Sequence, residues 1–408
     1  GLGAVMRMDV ATALMTGIAS DRIVLFVNGS PSGPTYVQKP WEWASCPRHD
    51  KQCFFLPDSP CVLTLGEIQN ATTLSKGERR ALFRTGQLPA HAQDARVVAV
   101  DMLTRPQRTP ANFRDRIITI ANTHVVAPLK ETNPNDPRIP WLEAAIDHIL
   151  KDDESIGESF SYFGRNSKAH HVMVFYAMRP NFEYSQRLDE IMRQTFDRDH
   201  DKNLKLGLPI RASDKCIDES ECPSFDHYMD LMETVWKENK NYHEWGRRDD
   251  GSSRNISIIL TSESLDIFQA QKAFEAEKRL QFPLLNLQQS QVVDAPVEFD
   301  FVTNKFDMVQ NSGNPEKLKD LDNKEEVLLS AVASIKMQLH AQYTVGNCCS
   351  SHHLLIFYFL QEGCGAYPEN RGQCMQDHDD PRFRICCGWT KTDDCLAKRK
   401  FREQQAKR

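Results

Sequence analysis

The chain has 408 residues, of which 40% are hydrophobic and 26% charged, a composition typical of a folded globular protein. This length predicts two domains of ordinary size. The formal net charge of −6 argues against general nucleic-acid binding, and no apolar run approaches the ~20 residues of a membrane-spanning helix.

The chain is predicted to open with a helix, because Met6, Val10, Leu14 and Ile18 recur on one helical face and Asp21 ends the pattern. A buried strand is predicted at "RIVLFVN", followed by a long irregular stretch rich in proline and cysteine. The remaining elements predicted before residue 200 are short strands at "RVVAV" and "RIITIA" and helices at "WLEAAIDHIL" and "YSQRLDEIMRQTF".

The second half of the chain is predicted to alternate strands and helices. Strands are predicted at "LGLPI", "ISIILT" and "YTVGN", and helices at "FDHYMDLMETVWKE" (capped by Ser224), around Ile267 to Phe274, at "EEVLLSAVASIKMQLH" and at "SSHHLLIFYFLQEG". This alternation predicts a parallel sheet covered by helices, with ligands beyond the carboxyl ends of its strands. We predict domains at 1–203 and 204–363 and a cysteine-rich extension at 364–408 that packs on the core.

The cysteines and glycosylation signals indicate the cellular compartment. The chain has 12 cysteines but no CxxC pair, which favours disulfides in an oxidising compartment over structural zinc. Three N-x-S/T sequons begin at Asn28, Asn70 and Asn255. We therefore expect a glycoprotein of the secretory pathway, in the Golgi or the lumen of the endoplasmic reticulum, whose membrane anchor precedes residue 1.

The stretch "RASDKCIDESEC" is the first candidate for chemistry. Arg211 immediately follows the apolar end of the strand "LGLPI", so it is expected at the carboxyl edge of the sheet. A guanidinium presents a fork of donors that fits a phosphate. The alternative is a charge-rich surface loop, and the position of Arg211 next to the strand favours the phosphate hypothesis.

Two further strand ends are candidates. Ser350 and Ser351 follow "YTVGN" and open a helix, where hydroxyl and N–H groups can donate to a phosphate, although an ordinary N-cap explains them as well. Glu263 follows "ISIILT", and its alternative is a plain turn. The neighbours His352 and His353 do not converge on a helix, so a metal site there is not expected.

The order of these motifs resembles the eukaryotic α-1,6-fucosyltransferase family, within the fucosyltransferase superfamily. The similarity runs from residue 1 to about 363 and includes "GLGAVMRMDV", "KPWEW", "FYAMRPN", "GLPIRASDKCIDESECPSFDHYM", "IILTSES" and "NCCSSHHLL". It implies an α/β protein of GT-B type, with two Rossmann-like domains and a cleft between them. It also implies an enzyme that transfers fucose from GDP-fucose to a glycan or glycoprotein acceptor, without a metal or other cofactor.

The resemblance also implies roles for single residues. Arg211 would hold the diphosphate, Ser351 with Ser350 would bind the β-phosphate, and Glu263 would lie at the donor. Lys215 falls on the partner lysine of the catalytic base, and Asp214 would orient the loop and contribute to donor binding. The remaining implied role is that of the catalytic base, which falls on Glu219.

The chain departs from the family pattern at several positions. A family histidine is Pro209 here, a second arginine is Ala212, and Ile335 falls near a guanine-reading aspartate. Two alternatives to the fucosyltransferase hypothesis therefore stay open. One is protein O-fucosylation or transfer from another nucleotide sugar, and the other is a degenerate enzyme that acts as a binding or scaffold protein.

Overall fold

The fold was established from a computed structural model of the chain. It describes residues 6, 10–27, 54–56, 63–85, 87–101, 112–150, 168–196, 203–212, 224–238, 256–278, 299–304, 324–341, 343–347, 352, 355–356 and 384–385. The chain divides into two compact units, Gly1–Asn181 and Phe182–Arg408. Each unit contains a parallel sheet with helices, so the protein is of the α/β class, as the sequence predicts.

The first unit contains short strands and helices. Its strands are β1 (Ile23–Val27), β2 (Thr72–Leu74) and β3 (Val97–Asp101). Its helices are α1 (Ala11–Ser20), α2 (Leu65–Gln69), α3 (Lys76–Thr85), α4 (Phe113–Ala121), α5 (Ala127–Thr132), α6 (Arg138–Leu150) and α7 (Lys168–Ala177), with a 3-10 turn at Ala90–Ala92 and a π-helical turn at Asn122–Val126.

The sheet of the first unit has the order β1-β3-β2, and its pairs are parallel. Leu74, Leu82, Ala92 and Val98 form a buried cluster that joins the sheet to α3. The predicted opening helix and the strands at "RIVLFVN" and "RVVAV" are confirmed by α1, β1 and β3. Asp21 ends α1 in the left-handed conformation, with a φ of 57°.

The prediction of a strand at "RIITIA" is wrong, because this segment belongs to helix α4. Its β-branched residues favour a strand locally, but tertiary contacts override that preference. Phe113 is buried, Asn112 donates from Nδ2 to the carbonyl oxygen of Ala19 at 2.6 Å, and Arg116 forms an ion pair with Asp21 at 2.7 Å. These contacts hold α4 against the end of α1.

The second unit contains longer strands. They are β4 (Leu204–Ile210), β5 (Ile256–Ser262), β6 (Phe299–Thr303) and the short β7 (Tyr343–Thr344), β8 (Gly346–Asn347) and β9 (Arg384–Ile385). Its helices are α8 (Phe182–Thr195), α9 (Phe225–Glu238), α10 (Leu265–Lys278) and α11 (Lys324–Gln338). The strands predicted at "LGLPI", "ISIILT" and "YTVGN" are confirmed, the last as the two pieces β7 and β8.

The main sheet of the second unit has the order β6-β5-β4-β7, and its strands are parallel. Its core combines strand residues such as Leu208 and Ile258 with Phe225, Met232 and Phe274 from the helices. The predicted N-cap of α9 is confirmed, since Ser224 Oγ accepts the backbone N–H of His227 at 3.2 Å. The predicted helices at "YSQRLDEIMRQTF" and "EEVLLSAVASIKMQLH" are likewise confirmed by α8 and α11.

Helix α11 is held on this sheet by a buried amide. Gln338 is fully buried, and its Nε2 donates to the carbonyl oxygen of Ile259 at 2.8 Å and to Thr261 Oγ1 at 3.0 Å. The close approach requires Gly207, because a Cβ atom there would lie 2.7 Å from Thr344 Oγ1. The position of α11, and of β7 directly after it, therefore depends on a glycine in β4.

The compact units differ from the predicted domains. The boundary predicted after residue 203 lies 22 residues beyond the division after Asn181, because α8 belongs to the second unit. There Arg187 of α8 pairs with Glu325 and Glu326 of α11, at 2.7 Å for Glu325. The three-domain division stays a prediction, and most of the cysteine-rich extension lies outside the described residues.

Candidate functional site

The topology of the second sheet marks one position on its carboxyl edge. After β4 the chain adds β5 and then β6 on one side, and it returns to add β7 on the other side. In open α/β sheets, the crevice at such a change of direction is the usual place for a ligand. The change occurs between β4 and β7, so the candidate site lies beyond the end of β4.

Arg211 is the first residue after β4 and therefore lies at this position. Its side chain is 29% exposed, and its Nε is 3.3 Å from Oε1 of Glu263. The same carboxylate oxygen accepts the backbone N–H of Ala212 at 3.1 Å. The sequence predicted Arg211 at the carboxyl edge of the sheet, and the structure brings it together with Glu263.

The register of the strands explains why these two residues meet. Ile210 is paired with Ser262 at the ends of β4 and β5, so the residues that follow each strand are neighbours. The side chain of Glu263 is only 10% exposed, which makes its bonds to the turn after β4 stable against competition from water. The ion pair is therefore a built part of the sheet edge rather than a loose surface contact.

The end of β6 is tied to the same edge. Asn304 follows β6, is buried, and donates from Nδ2 to the carbonyl oxygen of Ser262 at 3.5 Å. The backbone N–H of Ser264 donates to Ser262 Oγ at 3.1 Å. Asn304 was not a candidate in the sequence analysis. The signal that could point to it is its position directly after the strand β6.

The charge of Arg211 also acts on His352, which comes after β8 in the chain. It is a helical residue that is partly exposed, yet the packing around its ring lowers its pKa from 6.5 to about 3. Desolvation is the larger cause, and the positive charge of Arg211 is the second. The imidazole is therefore neutral at pH 7, so Arg211 supplies positive charge at this edge and His352 adds none.

Several predicted site residues lie outside the described residues. They are Asp214, Lys215 and Glu219, which follow Arg211 in the sequence, Ser350 and Ser351 before His352, and the sequon residues Asn28 and Asn255. The third sequon residue, Asn70, is exposed and directly follows α2. The roles of these residues stay predictions.

The positions that depart from the family pattern have a structural account. Val345 donates its N–H to the carbonyl oxygen of Gly207, which shows that Gly207 faces β7. Pro209, two residues on, faces the same side but lies beyond the last paired residue of β7, so its missing N–H breaks no ladder bond. Ile335 is buried in the core on α11 and is not placed to read a base.

Among the residues that the structure describes, no group of three or more His, Cys, Asp or Glu side chains could hold a metal ion. Among the described helices, none is long and apolar enough to cross a bilayer.

Of three comparisons with known proteins, the one with solved structures gave matches. No family model matches the chain, and no curated protein matches it. One similar solved structure is an arginine-to-lysine variant of FUT1 from Arabidopsis thaliana in complex with GDP. The identity is 12% and the TM-score 0.45, over 98% of this chain and 75% of that chain. These values do not establish a shared fold or activity, so functional conclusions depend on the residues of this chain.

Proposed function

We propose that this protein is an inverting glycosyltransferase that transfers fucose from GDP-fucose to a glycan acceptor without a metal, an N-glycan core being one candidate acceptor. The observation that supports it best is the position of Arg211. A guanidinium lies at the change of direction in a parallel sheet and is held by Glu263, and its charge acts on His352, which directly follows Ser350 and Ser351 in the sequence.

The proposed chemistry is a single displacement at the anomeric carbon of the sugar. Glu219 takes the proton from the attacking acceptor hydroxyl while the bond from the sugar to the β-phosphate breaks. The negative charge that develops on the leaving GDP is stabilised by Arg211 and Lys215. Ser350 and Ser351 donate to the β-phosphate, and Asp214 orients the loop.

The charge state of the site fits this division of roles. A neutral His352 can accept or donate one hydrogen bond at pH 7 but does not add a charge, so a fixed cation at Arg211 is needed to attract a diphosphate. Fixed cationic side chains can replace the divalent metal that many nucleotide-sugar enzymes use, which is why the mechanism has no metal step.

The alternatives share this site and differ in its use. A protein O-fucosyltransferase, or a transferase with another nucleotide sugar, would keep the same diphosphate contacts. A degenerate binding protein is favoured by one observation, namely that Ala212 puts no charged side chain beside Arg211. Ligand binding and turnover separate these alternatives.

The first experiment is a thermal-shift screen of nucleotides and nucleotide sugars, followed by a transfer assay with GDP-fucose. A ligand that binds only the native state raises the melting temperature. We expect GDP and GDP-fucose to raise it, and Arg211→Ala to lower kcat by about 10²- to 10³-fold, the loss typical when one donor to a developing negative charge is removed.

Arg193→Ala is the matched control, because Arg193 is an exposed arginine of α8 whose ion pair with Glu190 lies on the surface. This variant should keep full activity. Full activity of Arg211→Ala would show that the site is elsewhere. Binding of GDP without turnover of any donor would favour the degenerate binding protein.

A further inference from the structure

We infer that Glu263 is a positioning residue that acts through Arg211 and does not itself contact the diphosphate. This inference rests on the proposed function, because it takes a diphosphate as the ligand of Arg211. It replaces direct donor binding by Glu263, which the family resemblance implies, with an indirect role that the contacts of this chain support.

The first argument is the geometry of the carboxylate. Oε1 of Glu263 is 3.3 Å from Nε of Arg211 and accepts the N–H of Ala212 at 3.1 Å. One oxygen of the residue that follows β5 therefore holds both the side chain of Arg211 and the backbone of Ala212 after β4. In the sequence, these two residues come directly before the stretch that contains Asp214, Lys215 and Glu219.

The second argument concerns the edge of the guanidinium that is used. A guanidinium has one N–H at Nε and four on its two terminal nitrogens. A carboxylate bound at Nε fixes the rotation of the planar guanidinium. It contacts the Nε side of the group, which is a different edge from the one formed by the two terminal nitrogens. Bidentate recognition of phosphate depends on that orientation, so an arginine held at Nε loses less rotamer entropy on binding.

The third argument is electrostatic. A carboxylate in direct contact with a diphosphate would repel it, and the repulsion grows in a poorly solvated site. The side chain of Glu263 is only 10% exposed, so little water screens its charge. Glu263 can favour diphosphate binding only by its effect on Arg211 and on the turn, which distinguishes a positioning role from a ligand contact.

The fourth argument is that Glu263 is itself fixed on its strand. The residue before it, Ser262, is paired with Ile210 and has its carbonyl oxygen bound by Asn304 from the end of β6. The backbone that presents the carboxylate is therefore tied to both neighbouring strands. A side chain on such a support can hold a partner in one geometry.

The test is a double-mutant cycle between Glu263 and Arg211, measured by calorimetric binding of inorganic pyrophosphate, GDP and guanosine. We expect Glu263→Ala to weaken pyrophosphate and GDP binding about tenfold, the size expected for a lost charge-assisted hydrogen bond. Glu263→Gln should weaken it less, about threefold, because its amide oxygen can still accept from Nε and from Ala212. Guanosine, which lacks the diphosphate, should bind all variants alike.

In the Arg211→Ala background, Glu263→Ala should cause a much smaller further loss, since only its bond to the backbone N–H of Ala212 is left to position the chain. Asp266→Ala is the control, because it removes an exposed carboxylate from the first turn of α10. Unfolding midpoints in the absence of ligand identify any variant that fails to fold, and Glu263→Gln keeps the cycle usable if Glu263→Ala is one of them.

The outcomes separate this inference from the proposed function. Three results would each overturn the positioning role. The first is that Glu263→Ala loses the same pyrophosphate affinity with and without Arg211. The others are that Glu263→Ala binds guanosine more weakly or binds pyrophosphate more tightly than the wild type. Coupled pyrophosphate binding without GDP binding would leave the positioning role intact and overturn the choice of nucleotide. Failure of the wild type to bind either anion would overturn both.

Discussion

The two parallel sheets use the polar residues at their strand ends differently. In the first unit, Ser75 follows β2 and starts α3, where its Oγ accepts the N–H of Glu78 at 3.3 Å and its own N–H donates to Glu78 Oε2 at 2.8 Å. In the second unit, Glu263 follows β5 and instead holds Arg211 and Ala212 after β4. A polar residue after a strand thus indicates a site only when its partner belongs to another strand.

The largest effect on stability is expected at Gly207, where the second sheet receives α11. In Gly207→Ala the new Cβ would lie 2.7 Å from Thr344 Oγ1 and 3.0 Å from Ala341 Cβ, beside the buried amide of Gln338. We expect the free energy of unfolding to fall by about 3 kcal/mol, as for overpacking in a core. Urea denaturation of the purified variant measures it.

The matched control for this change is Gly77→Ala in α3 of the first unit, where an added Cβ meets nothing within 4 Å. A glycine replaced by alanine in an unobstructed helix should raise stability by about 0.5–1 kcal/mol. If Gly207→Ala keeps or raises the stability, as Gly77→Ala is expected to do, the tight packing described at Gly207 is wrong.

The two units should also respond to acid in different pH ranges. The pKa of His352 is lowered from 6.5 to about 3, so between these values the unfolded state binds the additional proton. The stabilisation that the neutral His352 contributes to the folded state is complete above pH 6.5 and is lost as the pH falls toward 3. In the first unit, Arg138 donates hydrogen bonds that lower the pKa of Asp136 from 3.8 to about 2. The contribution of the Asp136 carboxylate to the stability of the folded state is therefore lost only as the pH falls below 3.8.

Hydrogen exchange between pH 7 and 4 measures this difference, because it reports the opening of each unit separately. Protection in the second unit should fall over this range, and His352→Gln should reduce the fall. His227→Gln, at an exposed position of α9, is the control and should leave the pH dependence unchanged. A pH dependence that survives in His352→Gln would assign it to other groups.

The smallest effects are expected at the helix caps. Ser75→Ala and Ser224→Ala should each lower stability by about 1 kcal/mol. The loss should be greater for Ser75, because it removes one partner of a reciprocal capping box, whereas Ser224 makes the cap of α9 through the single hydrogen bond to His227. Thermal unfolding of both variants, with the matching threonine variants as controls, measures the difference.

Strands β4, β5 and β7 of the second sheet were predictable from sequence because each contains a short apolar-rich segment between turn signals, whereas β6 was not predicted. β5, for example, is buried along its whole length. The segment "RIITIA" was predicted wrongly because its β-branched residues prefer strands, while its helical state depends on contacts of Asn112 and Arg116 with the end of α1. Helices α2, α3 and α7 and strand β2 were not predicted, since their apolar patterns are short.

The sequence alone determined the α/β class of the protein, the cap at Ser224, and the position of Arg211 directly after a strand, because these depend on residues close together in the chain. Only the tertiary structure decided that β7 returns to the far side of β4, that Glu263 contacts Arg211, and that the charge of Arg211 acts on His352. The physical reason is that strand order and register bring together residues more than fifty positions apart, and a local pattern contains no information about which strand ends become neighbours.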